Sequence, residues 1–454
     1  MILIFRLFFI VSVLLFCFAP PFYSEIFCLL SGVIYVLNAF FLIINNQEKI
    51  NYFNILFSIS FFFTNFIYPI FIYPQDSGYF PIFRNIPFEE KYISQATALC
   101  LLAYSAYALG YYSVWKKLNT DIPSTDKLKN INMDYHARQG LNYIVLLVFV
   151  IFLIFAGTNF LLGQYNTLPP TAYVISVLLK ILLSTAIVLE FFYNKKIHRA
   201  SPFKIIKDFN KVLLLISLTY IALFLRASER GQVIEFSLIL FLLYTIFCNK
   251  VKLKLFIIFI FIGSIGLSII GDNRIGNSFQ ISSVIDMGKD LIITNHNLYT
   301  AFEITQHQGI LWGSPILANI VGIIPLGNYI FEFLTGVNLV EKTSAVILTK
   351  NALGDNPLWG VGTNMIGDLY MSFGAIGTIA VLFCTGRLFC QLFIQSYYQN
   401  RLRSILFYAF VFSVAIYLPR GSIFMLFQLL FGAWLVYELT KVRKNENRYR
   451  CNES

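Results

Sequence analysis

Ile316-Leu-Ala-Asn-Ile-Val-Gly-Ile-Ile-Pro-Leu-Gly-Asn-Tyr-Ile-Phe-Glu-Phe-Leu334 decides how this chain is threaded. The stretch is apolar enough to count as a bilayer crossing, which takes about 20 apolar residues. It also carries Pro325, Gly327, Asn328 and Glu332, which suit a half-inserted or interfacial helix packed against a bundle. The other long apolar runs lie at about 2–19, 22–44, 51–73, 93–114, 141–161, 171–193, 211–225, 233–248, 255–271, 361–385, 404–418 and 421–440, so the chain has twelve or thirteen crossings. Charge chooses between the two. With the N-terminus inside and twelve crossings, the inner segments hold 23 of the 34 Lys and Arg residues. These segments are 45–50, 115–140, 194–210 with Lys211 at its edge, 249–254, 386–403 and the tail from Lys441. The outer segments hold nine: Arg84, Lys91, Arg226, Arg230, Arg274, Lys289, Lys342, Lys350 and Arg420. A thirteenth crossing would carry the basic segment 386–403 and the basic tail to the outer face, against the positive-inside bias. The expected fold is therefore all-α: a polytopic bundle of about twelve transmembrane helices with one large outer loop. Residues 1–271 form spans one to nine, 272–360 the loop, 361–440 spans ten to twelve, and 441–454 a basic cytoplasmic tail.

Composition agrees, with 57% hydrophobic and only 13% charged residues, where a soluble chain carries roughly a quarter charged. The net charge of +11 sits in short connections between spans rather than on a basic patch of a soluble domain, so no nucleic-acid partner is expected. The seven cysteines are scattered, mostly in apolar runs, and show no paired metal spacing. Residues Met1 to Pro20 lack a small-x-small cleavage site and read as a retained first span.

Candidate chemistry concentrates at helix mouths. Arg226 and Arg230 flank the turn Arg226-Ala-Ser-Glu-Arg-Gly-Gln232, Arg274 follows the ninth span, and Arg420 lies in Pro419-Arg-Gly421. A guanidinium is permanently charged and matches phosphate oxygens with a planar fork of donors, so four at one depth would suit a pyrophosphate on a lipid tail. Each alone could equally snorkel to headgroups or pair with Glu229 or Asp272. The tenth span opens on Gly360-Val-Gly-Thr-Asn-Met-Ile-Gly-Asp-Leu-Tyr-Met-Ser-Phe-Gly-Ala-Ile-Gly377, where Thr363, Asn364 and Asp368 are polar and Gly367, Gly374 and Gly377 permit close helix approach. A carboxylate at that depth is expensive and is expected to face a wet cavity or an arginine; a helix-locking ion pair is the plainer alternative. In the loop, His296, Glu303 and His307 fall on one stripe if the stretch is helical, able to supply a base or ligate a metal, although no known zinc spacing recurs and no metal is expected. Lys180 lies inside the sixth span, poised for a ligand, a counter-charge or simple snorkelling. No Walker loop, Gly-x-Ser-x-Gly or nucleotide-binding soluble domain is present, which favours a substrate already in the membrane.

The span plan, the Arg-Gly pairs at 230–231 and 420–421, the large loop and the glycine-rich start of the tenth span resemble the Wzy-type O-antigen polymerases and, more distantly, the O-antigen ligases. That group often shows His-Asn, nine residues, then Gly-x-x-Gly; here Asn364 precedes nine residues and Gly374-Ala-Ile-Gly377, with Thr363 in the histidine's place. Asp368-Leu369-Tyr370 fits the acidic residue before Leu-Tyr seen in many polymerases. The resemblance implies a GT-C-like enzyme of the bacterial inner membrane with both termini cytoplasmic and the loop in the periplasm. It would transfer a growing glycan from undecaprenyl pyrophosphate to a fresh lipid-linked repeat unit without a cofactor. Partners would be the lipid-linked oligosaccharide, the bilayer, a chain-length regulator and a flippase. The arginines would stabilise the diphosphate, with Asp368, or else His307 or Glu303, as base, and Asn364, Thr363 and Lys180 binding substrate. A lipid-linked oligosaccharide flippase and an O-antigen ligase remain open on the same span plan.

Overall fold

The computed structural model describes residues 1–44, 50–118, 135–164, 167–258, 260, 263, 288–324, 327–355, 357 and 360–440. The described residues form helices and turns and contain no strand. In chain order the helices are α1 (Ile2–Cys17), α2 (Glu25–Ile44), α3 (Tyr52–Asn65), α4 (Pro81–Asn85), α5 (Tyr92–Leu118), α6 (Tyr135–Phe155), α7 (Thr158–Leu161), α8 (Pro170–Tyr193), α9 (Pro202–Asp208), α10 (Lys211–Arg226) and α11 (Arg230–Phe247). They continue with α12 (Lys289–Ile292), α13 (Asn295–Gln308), α14 (Ser314–Val321), α15 (Gly327–Thr335), α16 (Ser344–Leu353), α17 (Met365–Tyr397), α18 (Leu402–Ser413) and α19 (Met425–Thr440).

Five of these, α2, α5, α8, α11 and α17, are long and apolar enough to cross a membrane, and the pair α9 and α10, bent by 117°, would make a sixth. A helix stands at every expected span; of 255–271 only residues 255–258, 260 and 263 are described, and these are helical. The structure adds detail to three of these segments. The helix at the tenth span continues past the apolar run that ends near 385: α17 runs on to Tyr397 and carries Arg387, whose guanidinium is 5.8 Å from the Phe383 ring. The expected connection 194–210 contains α9, started by Pro202 at the first helical position, where its missing N–H costs nothing. The stretch 316–334 is not one helix but the short α14 and α15, each well under a crossing length. On α15, Tyr329, Ile330, Phe333 and Leu334 are exposed together, the pattern of a helix lying along an apolar boundary.

The chain folds as two compact units. The first comprises Met1–Pro123, Lys252–Tyr398 and Phe410–Gln428, and the second Ser124–Val251, Gln399–Ala409 and Leu429–Ser454. In the first, α5 is the almost wholly buried centre, packed by α1, α2, α13 and α17. α1 buries Phe5 and Ser12 and leaves Leu3, Leu7, Ile10 and Leu14 exposed on one face, as a lipid-facing helix does. The crossing of α5 with α17 is made by two glycines. A Cβ on Gly110 would stand 2.1 Å from the Phe383 carbonyl oxygen, and one on Gly386 would stand 2.1 Å from that of Tyr107. In lipid, where burial of apolar surface does not drive helices together, such close backbone approach is the main source of packing energy.

A ladder of hydrogen bonds joins α5 to α3. Tyr104 Oη and Ser58 Oγ are 2.6 Å apart, Tyr107 Oη donates to Asn54 Oδ1 at 2.7 Å, and Asn51 Nδ2 donates to Tyr111 Oη at 2.5 Å. The partners recur every three or four residues on both helices, so one face of each meets the other.

α17 is broken at Gly374, which adopts φ +68° and ψ −170°. The carbonyls of Met371 and Ser372, which an unbroken helix would satisfy four residues on, instead accept the N–H groups of Leu311 at 2.8 Å and Gly313 at 2.9 Å. The break thereby docks the loop onto the helix. Replacing Gly374 by alanine places a Cβ 2.8 Å from Ile310 Cδ1 in a positive-φ conformation open essentially only to glycine, which costs another residue about 1–3 kcal/mol. The expected result is a lower melting temperature in detergent together with faster proteolysis around residues 309–313. A variant that melts and resists protease like the parent would rule out this docking role.

In the second unit, α6, α8, α10 and α11 pack together. Lys180 on α8 is buried and forms an ion pair with Glu235 of α11, while its ammonium and Tyr220 Oη both reach Gln232 Oε1, at 3.4 and 3.3 Å. Gly432 lets Ile181 approach to 2.8 Å of where its Cβ would be.

Candidate functional site

The first turn of α17 collects buried polar side chains. Asn364 caps the helix, its Oδ1 accepting from the N–H groups of Ile366 at 2.9 Å and Gly367 at 3.2 Å, and its Nδ2 donates to Asn65 Oδ1 at the end of α3 at 3.0 Å. Thr363 donates to Ser344 Oγ at 3.0 Å at the start of α16, and the Val361 N–H donates to Thr349 Oγ1 at 3.1 Å. Gly367 fits against α13, where a Cβ would lie 3.1 Å from Ala301 Cβ and 3.5 Å from the Asn297 carbonyl oxygen. Asn297 in turn donates to the Val361 carbonyl at 2.9 Å.

Asp368 lies one turn along from Asn364, fully buried, with the hydroxyls of Ser344 and Ser422 facing it. Apart from those two hydroxyls, neither carboxylate oxygen has a hydrogen-bond partner among the described residues. Of the wet cavity or arginine expected around it, no arginine or other cation pairs with Asp368 among the described residues. Ser372 Oγ, one turn further along the same helix, and Asn297 Oδ1 are also buried and have no hydrogen-bond partner among the described residues. A buried carboxylate with no cation beside it costs several kcal/mol of stability after relaxation, so a fold that keeps one beside unused polar atoms holds it for something other than stability. Beside this cluster, Leu348 of α16 packs with Ala301, Ile304, Val361 and Met371.

The four arginines are placed as follows. Arg226 ends α10 and is exposed, Arg230 starts α11 and is half-buried, and both belong to one tight turn of the second unit. Gly163, at φ +94°, packs onto Arg226, where a Cβ would lie 2.8 Å from its Cγ. Arg420 belongs to the first unit, in a 3-10 turn two residues before Ser422, with its guanidinium 5.8 Å from the Tyr417 ring. Arg274 lies outside the described residues, as does the basic tail.

The histidine stripe divides. His296 is a core residue: it is buried between Phe83 and Phe88, with Nε2 bonded to the Ile86 carbonyl at 3.0 Å, and desolvation by burial pushes its pKa below the usual value. Glu303 and His307 lie at the other end of α13, and there they meet Glu89 from the chain before α5. His307 Nε2 is 3.6 Å from Glu89 Oε1. Partial burial and the neighbouring Glu89 charge raise the Glu303 pKa, whereas the hydrogen bond from Lys91 and the nearby His307 lower that of Glu89. Lys180 finds the counter-charge that was one of its alternatives, Glu235.

Asn65, Ser344, Ser422 and Glu89 complete these clusters and had no local sequence signal, since each comes from a different segment. The nearest hint was the polar row Asn51, Asn54, Ser58 and Asn65 in an otherwise apolar run. Comparison with protein-family models, with curated proteins and with solved structures finds no match to this chain.

Proposed function

We propose that the chain polymerises lipid-linked oligosaccharide repeat units on the outer face of a bacterial inner membrane, through a twelve-span, GT-C-like bundle with both termini in the cytoplasm. One observation carries the reading: Asp368 is a fully buried carboxylate with no cation beside it among the described residues, surrounded by buried Asn, Ser and Thr side chains at the mouth of a membrane helix. In the reaction, Asp368 takes the proton of an acceptor sugar hydroxyl, whose oxygen forms the new bond to the anomeric carbon of the growing glycan. The bond from that carbon to the diphosphate breaks, and the lipid diphosphate leaves with the electron pair. Arg226, Arg230, Arg274 and Arg420 stabilise the charge that develops on the leaving group, as fixed donors can without a metal. Thr363 and Asn364 position the acceptor. Because Asp368 is fully buried, the acceptor reaches it only through a local opening of the surrounding helices, and burial of the site during transfer excludes water.

Arg→Lys at 226, 230, 274 and 420 tests the leaving-group role, since lysine keeps the charge and loses the fork. Each variant, expressed in a deletion strain at parental protein levels, is expected to shorten the glycan ladder on a gel. Full-length ladders from all four variants would overturn the assignment. In the deletion strain itself, single repeats on the lipid core are expected; long unattached polymer would indicate a ligase, and accumulation on the cytoplasmic face a flippase.

A further inference from the structure

We propose that Glu89, Glu303 and His307 bind one divalent transition-metal ion, zinc or manganese. One carboxylate oxygen from each glutamate and one imidazole nitrogen of His307 lie within 4.8 Å of one another. A tetrahedral ion with ligands at about 2.1 Å has edges of about 3.4 Å. The 3.6 Å between His307 Nε2 and Glu89 Oε1 is already that edge, and a rotation of the Glu303 side chain closes the rest.

The ligand set has the right chemistry. An imidazole with two carboxylates suits zinc or manganese, and three protein ligands leave a fourth position open, as in ions that bind an exchangeable water or a substrate oxygen. Glu303 and His307 are four residues apart on α13, so both project from one face of it. Glu89 is presented by a fixed segment: its carbonyl accepts the Tyr92 N–H at 3.2 Å as α5 begins, and three residues earlier the Ile86 carbonyl is held by His296. Between these ties, Phe88 stacks on Tyr299 with ring centroids 5.3 Å apart. The 86–89 segment is thus laid along α13, and the third ligand is fixed before any ion arrives. Lys91 does not fill the site. It pairs with the other oxygen of Glu89, is about half exposed, and leaves Oε1 turned to His307.

The sequence reading expected no metal because no known zinc spacing recurs; the third ligand, Glu89, lies more than two hundred residues from the other two. This site does not depend on the proposed glycosyl transfer and is tested apart from it. Zinc and, separately, manganese are titrated calorimetrically into the full chain purified in detergent. The expected result is saturable binding of one ion per chain, weakened at least about tenfold in Glu89→Gln, Glu303→Gln and His307→Ala, and unchanged in Glu341→Gln, an exposed glutamate that pairs with Lys350. No saturable binding of either ion, or binding that the three ligand variants leave intact, would overturn the proposal.

Discussion

Replacing Asp368 by asparagine is expected to reduce polymer formation by two to four orders of magnitude, the range a general base commands, while raising the melting temperature of the purified protein. The two effects have opposite signs for one reason. The carboxylate is fully buried, and among the described residues only the hydroxyls of Ser344 and Ser422 face it. Its ionised form therefore bears a desolvation cost of several kcal/mol with no paired cation to offset it. Asparagine keeps the volume and the polar atoms but abolishes the charge and with it the ability to accept a proton. Glycan ladders and thermal unfolding of the same detergent preparation decide the matter. A variant that melts lower and still makes long polymer would identify Asp368 as a structural group and sink the catalytic reading.

The largest effect on stability is expected at the crossing of α5 and α17. Gly386→Ala puts a methyl group 2.1 Å from the Tyr107 carbonyl oxygen and 2.9 Å from the Tyr111 nitrogen, and both obstacles are backbone. No side chain can rotate away, so the helices must separate. Gly110→Ala meets the Phe383 carbonyl oxygen at the same distance from the opposite side. Overpacking of this kind costs about 1–3 kcal/mol and occasionally more where the surroundings cannot yield, and here separation would also strain the Tyr104, Tyr107 and Tyr111 bonds to α3. Each variant is expected to elute as aggregate on size-exclusion chromatography or to melt many degrees lower. Serine, nearly as small, is expected to behave like alanine, and either variant melting like the parent would show that the helices are farther apart.

The helical character of the fold was legible because lipid forces it: long apolar runs must satisfy their own backbone groups, and helices stand at nearly every run. Helix ends were less so. The tenth apolar run stops near 385 because hydropathy counts charge and cannot see that α17 continues through Arg387, with Gly386 docked on α5 at that level. For the same reason Gly374, read as a packing glycine, is in fact a break whose freed carbonyls are taken by residues 311 and 313. At the candidate site, Asp368, Asn364 and Thr363 announced themselves as polar residues in an apolar span, whereas Ser344, Ser422 and Asn65 reach the cluster only through tertiary contacts that no spacing encodes. The His296, Glu303 and His307 stripe was half legible. Helical periodicity placed Glu303 beside His307, but the aromatic cage of Phe83 and Phe88 that removes His296 comes from a distant segment.

The tyrosine ladder has a consequence for assembly. During insertion into a bilayer, lipid tails do not distinguish one apolar helix face from another, so an apolar helix is free to spin about its axis before it finds a neighbour. Asn51, Asn54 and Ser58 remove that freedom, because their bonds to Tyr111, Tyr107 and Tyr104 form together at only one rotational setting of α3. The same helix ends at Asn65, whose side-chain Oδ1 accepts from Asn364 Nδ2. One residue inserted between Asn54 and Ser58 would turn the far end of α3 by about 100°, carrying Asn65 away from Asn364. The ladder thus works as a key whose teeth are cut in one helix and whose bolt is the cap of another.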